Sequence, residues 1–145
     1  MSAMGTSSLE TSPLHAMTFM SPTEFWNDSC SAADLSIAIE HGATGGTSNP
    51  LIVGEVLKKE ISIWRPRIEA LIQEYPAAGE DDIAWRIIEE ITVKAAKLLL
   101  PIFEKNKGRN GRLSLQTNAQ YYRNAKAIVQ QAHYFNSLYP NNNIK

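Results

Sequence analysis

The chain has 145 residues, 43% of them hydrophobic, with a formal net charge of -1 at neutral pH. That length accommodates one globular domain but falls short of the roughly 250 residues of a closed (β/α)8 barrel. The balanced charge offers no basic surface for nucleic acid and no run of like charge for a membrane surface, so a small molecule is the expected partner.

Residues 1–21 are rich in Ser, Thr and Met and carry no Lys or Arg. Such a composition buries little, so a disordered tail is expected over 1–21, ahead of a domain over 22–145. No apolar run approaches the ~18 residues of a spanning helix, so neither a membrane anchor nor a signal peptide is expected. Cys30 is the only cysteine. It can form no intrachain disulfide and no cysteine-rich zinc site, which suits a reducing cytoplasm.

Thr23 to Asp28 reads as a strand, and Ser29 to Ser31 as a cap. Ala33, Ile37, Ala38 and His41 then recur at helical spacing until Gly42 stops them. A second strand over 43–47 delivers Ser48 and Asn49 to Pro50, an N-cap followed by proline at the first helical position. The long middle reads as helical with breaks. Leu51, Val53, Val56 and Leu57 define a short helix. Pro66 is expected to begin or kink another, which ends by Gly79.

Glu80-Asp81-Asp82 places negative charge on the first turn of a longer helix, where the macrodipole favours it. Its expected core stripe is Ala84, Ile87, Ile88, Ile91, Ala95, Leu98 and Leu99, with Pro101 bending the last turn. Residues 106–111 read as a loop, and 112–117 alternate as a strand. Tyr122, Ala125, Ile128, Val129, Ala132 and Phe135 describe another amphipathic helix, and one more strand follows Pro140. The order is that of an α/β chain: the N-terminal half of a (β/α)8 TIM barrel, helix-rich, with an extra helical insert.

In such a barrel the carboxyl ends of the strands converge on one face, where these folds keep their chemistry. Asp28, Asn49, Gln116 and Lys145 stand at the four expected strand ends. Each also has a plainer reading. Asp28 and Asn49 are both suited to N-caps, Gln116 to a loop, and Lys145 to a solvated charge. His15, His41 and His133 lack metal-ligand spacing, so no metal is expected.

Four segments in order bear a likeness to one family: Asn27-Asp28-Ser29, Gly42 to Pro50, Gly111 to Gln116, and Pro140 to Lys145. Over residues 20–145 the chain resembles the transaldolases, most specifically in Thr47-Ser48-Asn49-Pro50 and Gly111-Arg112-Leu113-Ser114. The resemblance implies Schiff-base transfer of a dihydroxyacetone unit between sugar phosphates, as in the pentose phosphate pathway, without metal or organic cofactor. It makes Lys145 the nucleophile, which must be partly unprotonated to attack a ketose carbonyl. It makes Asp28 the base that removes the C4 hydroxyl proton, and Asn49 a hydrogen-bonding partner of the three-carbon unit.

Gln116 departs from the pattern. Transaldolases carry a glutamate there, whereas glutamine orients water but cannot titrate. The fructose 6-phosphate aldolases of the same superfamily share the glutamine, while the helical insert resembles the longer transaldolases. The family's relay threonine and phosphate-holding serine and arginine follow the lysine. The resemblance therefore implies a chain cut after its fourth strand, with little activity by itself. Such a half-barrel is expected to be a homo-oligomer, to be completed by a C-terminal half, or to survive as a non-catalytic binding module.

Overall fold

The structure, a computed structural model, describes residues 12–145. Four parallel strands lie side by side in chain order: β1 (Trp26–Asn27), β2 (Gly45–Thr47), β3 (Arg112–Leu115) and β4 (Asn142–Ile144). Parallel neighbours need crossovers, and helices supply them. α2 (Ala32–Glu40) joins β1 to β2, and α6 (Ala125–Leu138) joins β3 to β4 after a 3-10 turn at Ala119–Tyr121. Between β2 and β3 the chain forms α3 (Pro50–Lys59), α4 (Ile61–Glu74) and α5 (Glu80–Lys105). This is the expected half-barrel order with its helical insert.

Local chemistry sets the helix starts. Ser31 caps α2, its hydroxyl accepting from the Asp34 N–H at 3.4 Å, and Asn49 caps α3, its side chain accepting from Ile52 N–H at 2.9 Å. α5 opens with Glu80, Asp81 and Asp82, and the Asp82 carboxylate accepts from the Gly79 N–H at 3.1 Å. Its buried stripe holds Ile83, Ile87, Ile88, Ile91, Thr92, Ala95, Ala96 and Leu99. Ala84, expected in that stripe, is exposed, and its neighbour Ile83 is buried instead.

Two local expectations need correction. The tail expected over 1–21 contains a helix, α1 (Pro13–Met20), capped by Ser12 and packed through Thr18 and His15 against Gly42. Proline at its first turn and a serine cap outweigh a composition with little to bury. The part of that expectation covering residues 1–11 lies outside the described residues. Pro66 does not begin a helix, the first of the two roles expected of it, because α4 begins at Ile61 and runs through it. Pro66 lies past the first turn and so forfeits its own backbone bond to the helix, and the next residue, Arg67, ties α4 to its own last turn through Glu74 at 2.7 Å and to α5 through Glu90 at 2.7 Å.

The core lies between the sheet and its helices. Leu113 and Leu115 of β3 are fully buried against Leu35, Val53, Ile91, Leu99 and Phe135. Asn141 is equally buried, its Nδ2 donating to the carbonyls of Ala96 at 2.8 Å and Gly111 at 2.7 Å. Among the described residues no helix is long and apolar enough to cross a membrane.

Candidate active site

Strand register decides which side chains share a face, because successive residues point to opposite sides. Leu113 and Leu115 face the helices, so Ser114 and Gln116 face away from them. β4 follows the same alternation. Ile144 packs on the core, and Asn143 and Lys145 are exposed on the other side.

Hydrogen bonds fix Gln116 and Lys145 on one rung. The Lys145 N–H donates to the Leu115 carbonyl at 3.0 Å, and the Thr117 N–H donates to the Lys145 carbonyl at 3.0 Å. On β2 the Ser48 N–H donates to the Ser114 carbonyl at 2.8 Å. Continuing the pairing of Thr47 with Ser114 by two residues sets Asn49 beside Gln116. Asn49, Gln116 and Lys145 thus form a row of three on the face that turns away from the helices.

Asp28 stands two residues lower. Trp26 pairs with Gly45 and Asn27 with Gly46, so the next pair is Asp28 with Thr47, level with Ser114 and Asn143. The Thr47 hydroxyl donates to the Asp28 carboxylate at 2.5 Å. The capping role open to Asp28 is not taken, since Ser31 caps α2. Asn49 takes its capping reading. Its Oδ1 caps α3, and its Nδ2 has no partner among the described residues. Gln116 is half-buried, while Asp28 and Lys145 are exposed.

Thr47, Ser114 and Asn143 escaped the sequence reading, though a signal for them existed. Each lies two residues before Asn49, Gln116 or Lys145, the spacing that returns a strand to the same face. Below the site, Cys30 and Ser48 are both buried, and burial pushes the Cys30 thiol pKa up, so it is no ready nucleophile.

A sequence-family model described as transaldolase/fructose-6-phosphate aldolase matches residues 25–145. The chain belongs to this family. Comparison with curated proteins yields no match. As a transaldolase/fructose-6-phosphate aldolase family member, the chain supplies the first four strands of the family's (β/α)8 barrel. The matched span includes Asp28, Asn49, Gln116 and Lys145.

Proposed function

We propose that the chain carries the Schiff-base side of a class I aldolase site and acts on a ketose phosphate by transaldolase-type transfer. The observation that carries this reading is the row of Asn49, Gln116 and Lys145, with Asp28 two residues below on the same face. In this reading the Lys145 amine adds to the ketose C2 carbonyl and water leaves, giving an iminium. Asp28 takes the C4 hydroxyl proton, the C3–C4 bond breaks, and its electrons pass into the iminium to give an enamine as an aldehyde departs. The enamine then attacks an acceptor aldehyde. Asn49, through its free Nδ2, holds an oxygen of the three-carbon unit. The single cysteine suits a cytoplasmic setting.

Gln116 favours a second reading within the same chemistry. An amide beside the lysine orients water without exchanging a proton with it. Protonation and hydrolysis of the enamine would then release free dihydroxyacetone, as in an aldolase. The ratio of glyceraldehyde 3-phosphate released to sugar exchanged onto erythrose 4-phosphate separates the two.

Borohydride trapping tests the shared step. Incubation with fructose 6-phosphate followed by reduction should leave a three- or six-carbon adduct that peptide mass spectrometry maps to Lys145, and Lys145→Met should remove it. Absence of an adduct on Lys145 overturns the reading.

A further inference from the structure

We infer that the cleft between α3, α5 and the segment following β3 is a binding site for a small apolar molecule bearing an amine. The inference does not rest on the aldolase reading. It begins with Gly54, in the interior of α3, where glycine costs about 1 kcal/mol relative to alanine. Packing gives no reason for it. A β-carbon built at Gly54 would meet no atom within 4 Å, and its backbone has no positive φ.

The open space beside Gly54 is a cavity of about 390 Å³, in the range of small-molecule sites. Val53, Leu57, Trp85 and Ile88 give it an apolar floor with one aromatic wall. Its rim carries the amides of Asn118 and Gln120 and the carboxylate of Asp81, the one charged residue lining it. Gln120 engages Asp81 only at 3.5 Å, a bond long enough to yield to a better donor. An apolar body satisfies the floor, and a protonated amine satisfies the lone carboxylate with an aromatic ring beside it. A side chain at residue 54 would fill the space this ligand needs.

Tryptamine is a suitable probe, with 3-methylindole as the analogue that lacks the amine. In ¹H–¹⁵N spectra of the full chain, tryptamine should shift the Gly54 amide and the side-chain amides of Asn118 and Gln120. 3-Methylindole should bind roughly three- to tenfold more weakly, the span of one charge-assisted contact at a partly solvated rim. Asp81→Asn, at an exposed position, should lower tryptamine binding to the level of the neutral analogue, and Gly54→Leu should abolish the shifts. Undiminished tryptamine binding by Asp81→Asn, or no response at Gly54 to millimolar tryptamine, overturns the inference. Each of these outcomes is independent of any adduct on Lys145.

Discussion

Asn141 holds the carbonyl of Gly111 at 2.7 Å from the opposite side of β3's entry, tying the start of β4 to the start of β3. The same amide nitrogen reaches the Ala96 carbonyl of α5 at 2.8 Å, so a single buried side chain joins two strands to the longest helix. Asn141→Ala leaves the Gly111 carbonyl buried without that partner, and is expected to cost about 2 to 3 kcal/mol. Urea unfolding followed by circular dichroism measures this, and a cost below 1 kcal/mol would show that water replaces the amide.

Two glycines should respond to alanine with opposite signs. A β-carbon on Gly111, at φ +74°, would overlap the backbone nitrogen of Phe103 and come within 2.7 Å of the Leu99 carbonyl. Gly111→Ala must part β3 from α5 and is expected to destabilise by about 3 kcal/mol or more. Gly54→Ala meets open space in a helix and should stabilise by about 0.5 to 1 kcal/mol. Thermal midpoints of the two variants against the parent provide the comparison.

Glu89 gives the fold a pH dependence whose direction is fixed. Burial raises its pKa above the ordinary 4.5, against the lowering effects of the Tyr134 hydroxyl at 2.9 Å and of Arg86. A carboxyl with a raised folded-state pKa binds its proton more tightly in the folded chain. Its stabilisation is fully present below the unfolded value and is lost as pH rises through the folded one. Glu89→Gln keeps an acceptor for Tyr134 without the charge. Its stability relative to the parent should therefore increase as pH is raised from about 4 upward through the carboxylate range. A difference that stays flat with pH would contradict this.

Gln116→Glu introduces a titrating group on the same rung as Lys145. If Lys145 forms the Schiff base, the rate of borohydride-trapped adduct should rise about tenfold or more near neutral pH. It should also acquire an acid limb absent from the parent. Equal rates and identical pH profiles would show that proton transfer at this step does not pass through residue 116.

Hydrophobic period and caps made most of the fold legible. Asn49-Pro50, the Ser31 cap and the acidic opening of α5 mark helix starts that the structure keeps. α1 was not legible because two capping features outweighed a composition poor in core-forming residues. The start of α4 at Ile61 was not legible because Pro66, a residue expected at a helix boundary or kink, lies inside the helix instead. At the site, residue types and strand ends pointed to four positions, but register did not follow from them. That Gln116 and Lys145 share a rung depends on two backbone bonds, and the link from Thr47 to Asp28 depends on a pairing 19 residues apart.

The four candidate groups span the whole sheet, with Asp28 on its first strand and Lys145 on its last. On a flat sheet, strands about 4.8 Å apart would leave those two backbones roughly 14 Å from each other, while the bonds they are proposed to act on lie side by side in one sugar. For the proposed chemistry, coiling of the sheet must close that gap, so in that reading the sheet's bend is itself a catalytic parameter. A substitution that flattens the sheet from behind, at Leu113 or Phe135, could silence the chemistry while leaving every reacting side chain in place.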